Sequence, residues 1–442
     1  MGYGLRRTAF DRSSYDFWTN RYQVVNVKDF GATGDGVHDD TKAMQNAIDA
    51  VGNGDTLYIP NGVYAITQPL INPAGLNHIN VTGQGSETIL LATVTMTDII
   101  AFTNVSRSTF RNFYLNCNNY ADHGINLTQS SETSTQNRLE HILGKLAKNY
   151  LFYLDGEEDC ILDQCINEGN ESNGGLVTGA VRWIIPDGAG TIIGGALFGE
   201  VKVQAQMFMV AGATIGPLIC DNPNAQQSWM WQISGSYVYD SSSSNCIDTT
   251  TNLVNINLDG CYMVADFSQN FINGNILNNM SIYATNCQWI QGSENSNSAL
   301  NILRASGSGN ATFVGGNVVL TGKGTSCSVF SPVSSPSTQI NIASPIAGCD
   351  DYLSTVTGTT AGTVYWAQPE KGTRKVFIAY FDGYENDTKT NQTITFPTPY
   401  SYAPTVSTNS TGLTVSASTT ELTITSPDST TTYSGVVEVV GL

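Results

Sequence analysis

The chain has 442 residues and a mass of 47.4 kDa, with hydrophobic residues at 40% and charged residues at only 13%. That length holds two or three domains and a sizeable core. So little charge excludes long charged helices, coiled coils and wholesale disorder, which needs high net charge and little hydrophobicity. Acids number 37 against 19 bases, for a net charge of −18. Nucleic acid, which requires a basic face, is therefore not an expected partner.

Residues 1–25 read as a separate arm. Arg6, Arg7, Arg12 and Arg21 alternate with Tyr3, Phe10, Tyr15, Phe17, Trp18 and Tyr22. A segment this short does not fold alone, so it is expected to dock on another surface, with a plain lead-in strand as the bland alternative. The two leading arginines have no apolar stretch behind them, so no secretion signal is expected. No apolar run in the chain reaches the ~18 residues of a membrane span, so no membrane insertion is expected.

Residues 26–77 carry the sharpest local pattern. Val27 to Thr41 is rich in Asp and Gly. Ala43, Met44, Ala47, Ile48 and Val51 then follow at helical spacing and predict an amphipathic helix over 41–51. Asp40 or Thr41 is placed to cap it, and Gly52 or Gly54 to end it. Two short strands flank Pro60-Asn61-Gly62 as a turn.

From 78 to 349 the chain repeats loosely. Short apolar strands align around Phe113, Ile142, Cys165, Ala196, Ile215, Tyr237, Cys261, Cys287 and Asn317. The clearest pair sets Ile256–Cys261 against Ile282–Cys287, isoleucine against isoleucine and cysteine against cysteine. Self-similarity at about 20–30 residues in a Gly- and Asn-rich chain means a solenoid. Few windows carry a helical period, so the expected form is a parallel β-helix, with the helix at 41–51 covering its open N-terminal edge. Nine cysteines without a C-x-x-C pair predict buried free thiols. Residues 350–442 turn Thr- and Ser-rich, with β-branched runs at 375–380, 392–396, 413–415, 421–424 and 436–440. They predict a small antiparallel sandwich.

The segment Asn26 to Thr67 resembles the entry motif of the pectate-lyase-like family of right-handed parallel β-helices, which includes bacteriophage tail spikes. Val27, Asp29, Phe30, Gly31, Ala32, Gly34, Asp35, Gly36, Asp39, Asp40 and Thr41 match its V-x-D-F-G-A-x-G-D-G-x-x-D-D-T pattern. Tyr58, Pro60, Gly62 and Tyr64 match its following turn. Thr393–Tyr400 and Ala403–Val406 resemble the small C-terminal sandwich of tail fibres and H-type lectins. The resemblance implies an all-β chain. A right-handed parallel β-helix would be capped by an N-terminal helix and followed by a small C-terminal antiparallel β-sandwich. It also implies a polysaccharide partner, self-association as a homotrimer, and a virion location with residues 1–25 joining another virion protein.

The aspartates of the motif read as turn and cap residues, with Asp40 on the helix amides. Calcium at Asp35, Asp39 and Asp40 is an open alternative that lacks the ligand spacing of a known loop, and no other metal or cofactor is expected. Hydrolysis of a glycan needs two carboxylates. The densest acidic stretch runs from Asp155 to Glu171, and Asp163, Glu168 and Asp187 are the candidate catalytic acids, Asp187 one coil after Asp163. Trp183, and Trp229 with Trp231, are candidate sugar platforms. Polygalacturonase-type motifs are missing apart from a faint echo in Asp122-His123-Gly124, and the coils hold few arginines for lyase chemistry. Neither polygalacturonase nor pectate lyase activity is therefore expected, and of the two reaction types hydrolysis by a carboxylate pair is favoured over elimination. Three roles follow: binding and hydrolysis of host surface polysaccharide by a virion tail spike, a non-catalytic adhesion or structural component of the virion, or a secreted polysaccharide lyase or hydrolase.

Overall fold

The computed structural model describes residues 23–168, 179–221, 230–241, 244–249, 255–268, 270–275, 280–292, 299–306 and 311–316. Beyond these it describes individual strands out to Gly441 and residues 402–408, 414–425 and 433–441. Residues 1–22 of the expected arm, and Trp229, lie outside the described residues. Two compact units divide the chain, one of residues 1–170 and 177–182, the other of residues 171–176 and 183–442.

Each unit contains parallel coils with three strand positions, for instance Met96–Thr103, Thr109–Arg111 and Tyr114–Asn116 in one turn. These positions define a first, a second and a third face. In the first unit, the second-face ladder pairs Thr56 with Asn80, Asn80 with Thr109, Thr109 with Arg138, and Arg138 with Ile161. Successive coils thus differ in length, while the ladder itself stays in register. The inward position of this face stacks Leu57, Val81, Phe110, Leu139 and Leu162, each at most 2% exposed. Alternation of side chains along a strand makes such a core from every second residue.

The expected self-similar pair is bonded rung to rung in the second unit. Ile256 lies opposite Ile282, and Asp259 opposite Thr285. The aligned positions Phe113, Ile142 and Cys165 are likewise equivalent, each preceding its paired strand. The middle of the alignment slips by one. Ala196 pairs with Thr214 and Thr214 with Tyr237, so the buried equivalents are Leu197, Ile215 and Val238. A slip of one residue exchanges the two sides of a strand.

The corner before the third face recurs in one conformation. Asn112, His141 and Gln164 in the first unit, and Gly212, Gly235, Gly260 and Asn286 in the second, all have φ between 50° and 63°. Most of their N–H groups donate to a carbonyl of the next rung, as Asn112 does to Glu140 and Gly260 to Thr285. The left-handed corner suits Gly and Asn, which explains their abundance. The seven described cysteines are buried free thiols, and Cys165, Cys261 and Cys287 each directly follow such a corner.

The helix forms at Thr41–Asp49 and buries Met44, Ala47 and Ile48. Its entry differs from expectation. Asp40 makes no side-chain bond to the helix; its carboxylate turns back to accept from the N–H groups of Thr33 at 2.5 Å and Gly34 at 2.9 Å. Asp39 instead accepts from the Thr41 N–H at 3.0 Å and from Thr67 at 2.9 Å. Asp35 accepts from the N–H groups of Val37 and His38, and those bonds hold its carboxyl well below the usual range. All three aspartates are therefore occupied by protein donors. Among the described residues no group of three or more His, Cys, Asp or Glu is arranged to hold a metal ion.

The C-terminal strands are antiparallel. Lys375–Tyr384 pairs with Tyr433–Gly441, which also pairs with Thr405–Thr408, and Asn391–Thr395 and Thr414–Ala417 flank Glu421–Thr425. Leu422, Ile424, Val437 and Val439 are buried by alternation. No described helix is long and apolar enough to cross a membrane.

The corner geometry makes a direct prediction. Asn286→Val should cost about 1–2 kcal/mol, because a β-branched residue is strained in the left-handed region. Asn286→Gly should melt near the parent temperature. Thermal unfolding of the two variants checks this.

Candidate functional site

The first face of the first unit brings together titratable groups that are far apart in sequence. The strand Ala121–Ser134 lies between Met96–Thr103 and Tyr150–Glu158, with His123 directly opposite Asp98 and Asn126 opposite Tyr153. Nδ1 of His123 is 2.9 Å from Oδ1 of Asp98, with only 16% and 8% of the two side chains exposed. The imidazole lies against the Tyr153 ring, 4.7 Å between centroids at 38°. Asp155 follows Tyr153 on the same side of its strand, and Arg182 is near enough to act on both.

The environment separates the two carboxylates. Burial opposes ionisation of Asp98, but hydrogen bonds from His123, Thr97 and Asn126 outweigh it and hold the carboxyl below the usual range. Burial raises Asp155, and the Arg182 charge offsets this only partly. The Tyr153 hydroxyl is raised by burial and then by the charges of Asp155 and Asp98. A carboxylate bonded to Nδ1 fixes the neutral imidazole with its proton there, leaving Nε2 as an acceptor. A half-buried surface thus carries an oriented imidazole, a phenol and a carboxyl biased towards its protonated form. Oppositely shifted acids mark candidate acid and base roles.

A third carboxylate nearby is enclosed. Glu157 is fully buried and accepts from Gln129 at 2.8 Å, Asn137 at 2.7 Å and Cys160 at 3.0 Å. Burial and Glu157 together push the Cys160 thiol well above its usual range. These contacts satisfy an interior polar group and present nothing to a ligand.

The acids singled out from sequence fall elsewhere. Asp163 ends a second-face strand and accepts from Arg138 at 2.6 Å, in a cluster that includes Glu140. Glu168 follows a third-face strand, is exposed, and accepts from the Tyr114 hydroxyl at 2.7 Å. Asp163 and Glu168 therefore serve different ladders. The side chain of Asp187 lies outside the described residues. The tryptophans need a correction. Trp183 and Trp231 are fully buried, with Phe208 between them at 5.8 Å and 5.6 Å, so their rings pack the interior and offer no face to a sugar. Met230 and Gln232 are the outward residues of that strand, and alternation turns Trp231 inward.

Sequence reasoning missed Asp98, Tyr153 and Arg182, and noted His123 only within Asp122-His123-Gly124. The available signal was spacing: Asp98 and His123 are 25 residues apart, one coil.

Residues 24–187, which hold this whole cluster, match the family model described as Rhamnogalacturonase A/epimerase, pectate lyase-like. Mannuronan C5-epimerase AlgE5 of Azotobacter vinelandii is 59% identical over 44 residues, 10% of this chain and 4% of that protein. Plasmin and fibronectin-binding protein A of Streptococcus pneumoniae is 47% identical over 48 residues, 10% and 7% of the two chains. The match thus spans under a tenth of either relative. Among solved structures, ORF18 of Geobacillus virus E2 aligns over 99% of this chain and 80% of its own, at 13% identity and a TM-score of 0.47. The tailspike protein gp49 of Pseudomonas phage LKA1 aligns over 94% and 99%, at 12% identity and a TM-score of 0.40.

The opposed shifts predict opposite pH behaviour. Asp98 is held below its unfolded value of ~3.9, so its contribution is complete above that pH and is lost as pH falls through the folded pKa. Asp155 is raised, so its ionisation costs stability as pH rises from the unfolded value through the folded one. Asp98→Asn should lower the melting temperature at neutral pH, and Asp155→Asn should raise it. Melting curves between about pH 3 and pH 7 read both signs.

Proposed function

We propose that this chain is a virion tail spike that binds host surface polysaccharide and hydrolyses it at the Asp98–His123–Tyr153–Asp155 cluster. The observation that carries the reading is that cluster: an oriented imidazole beside two oppositely shifted carboxyls, inside the segment that matches a carbohydrate-processing family. The virion location is supported by the resemblance of residues 26–67 to the family that includes tail spikes. It is supported also by the arginine- and aromatic-rich segment 1–25, suited to docking on another virion protein. The homotrimer rests on the same resemblance.

In the proposed reaction Asp155, whose carboxyl burial raises, gives its proton to the glycosidic oxygen as the bond to the anomeric carbon breaks. Water attacks that carbon and loses its proton to Nε2 of His123. Asp98 stabilises the imidazolium so formed and holds the ring in place. Tyr153 orients the imidazole from its face. Arg182 beside Asp155 favours a second reading, proton abstraction from an acidic sugar followed by elimination, because a cation there would neutralise a substrate carboxylate.

Incubation with envelope polysaccharide should release reducing ends. His123→Ala and Asp155→Asn should each slow release roughly a hundred- to ten-thousand-fold while polysaccharide is still bound. Unsaturated sugar ends among the products would select elimination. Slowing by Asp163→Asn or Glu168→Gln, with His123→Ala unaffected, would move the chemistry to those acids. No release with retained binding would select the adhesion role.

A further inference from the structure

The third face of the second unit carries aromatic side chains on neighbouring rungs. Register sets Thr214 beside Tyr237, Tyr237 beside Tyr262, and Tyr262 beside Gln288. Tyr237 is 41% exposed and Tyr262 46%, while Val238 and Met263, the next residue on each strand, are fully buried. Two residues along its strand, and so on the same side, Tyr239 lies 6.5 Å from Tyr237 ring to ring. It also lies 6.2 Å from Phe198, which is 38% exposed.

The backbone keeps this arrangement in place. The Gly199 N–H donates to the Tyr239 hydroxyl at 3.2 Å. Gly216, in the strand region between, is packed so closely that a Cβ would meet the Gly199 carbonyl oxygen at 2.2 Å. With no side chain at either glycine, the rings of Phe198 and Tyr239 approach each other across the intervening rung. Phe198, Tyr239, Tyr237 and Tyr262 form one shelf that follows the direction of coil stacking.

Thr214, Tyr237, Tyr239, Tyr262 and Gln288 are all uncharged. The Tyr237 hydroxyl is raised by burial and by the charge of Asp266, so the nearby field is negative. In a chain of net charge −18, such a surface repels an acidic polymer. Aromatic faces edged by hydroxyl and amide groups complement an uncharged pyranose, which has apolar C–H faces and a hydroxyl rim. We infer that this shelf binds a segment of neutral polysaccharide, with sugar rings stacked on Tyr237 and Tyr262 and on the Phe198–Tyr239 pair. The inference rests on the polysaccharide reading above and adds a binding subsite separate from the His123 cluster.

Affinity electrophoresis of the full chain through gels cast with dextran, mannan or alginate tests it, with light scattering on the same samples. At least one neutral polysaccharide should retard the protein. The Tyr237→Ala, Tyr262→Ala double variant should weaken that binding at least roughly tenfold, as expected for loss of two stacking rings. Tyr262→Phe should keep most of it. Equal retardation of the double variant, retardation by alginate alone, or retardation by none would overturn the inference. A changed oligomeric state in the double variant would overturn it too, assigning the shelf to contact between copies. Release of reducing ends by the parent protein reports separately on the functional reading, so the two can fail independently.

Discussion

Parallel pairing of each strand with its equivalent one coil later is the constraint on which the rest of the structure depends. Ladder spacing of about 4.8 Å brings residues one coil apart into side-chain contact, whatever the length of the turns between them. Asp98 with His123, Arg138 with Asp163, Gln129 with Glu157 and Asp259 with Thr285 are all contacts of this kind. The buried stack from Leu57 to Leu162 and the exposed step from Tyr237 to Tyr262 are the same geometry on opposite sides of the strands. A chemical site in such a fold is a column, and its members are separated along the chain by whole coils.

This explains what was legible in the sequence. The Val27–Thr41 motif, the helix after it and the alternating C-terminal runs are local patterns, and each forms where its residues predict. The repeat at Ile256 and Ile282 was visible because both coils keep the same residue types at the same steps. The His123 cluster was hidden because coil lengths vary. The 25-residue step from Asp98 to His123 does not stand out among others, while Asp163 and Glu168 were singled out by acid density and Asp163 also by lying one coil before Asp187. Acid density identifies solvated turns as readily as reacting groups, and both residues prove to be bonded to separate partners, Arg138 and Tyr114.

The tryptophans show a different limit. Trp183 and Trp231 are large enough to serve as sugar platforms, yet strand alternation decides which side they occupy, and a one-residue difference in register reverses it. The interior takes both, with Phe208 between them. The exposed aromatics instead include Tyr237, Tyr262 and Phe198. Recurrent left-handed corners at Asn112, His141, Gln164, Gly235, Gly260 and Asn286 set this inside–outside phase, because each restarts the alternation at the third face. The Asn and Gly content therefore encodes geometry at the corners, and the residues just after them are buried, including Cys165, Cys261 and Cys287.

Cys261 and Cys287 allow the stacking to be measured without any substitution. They occupy equivalent positions on adjacent rungs, each one residue before the paired Tyr262 and Gln288. Mild oxidation followed by proteolysis and mass spectrometry under non-reducing conditions should yield a cross-linked peptide joining these two cysteines. Cross-links that join Cys261 to other cysteines and not to Cys287 would contradict the coil register on which the Tyr237–Tyr262 shelf is built.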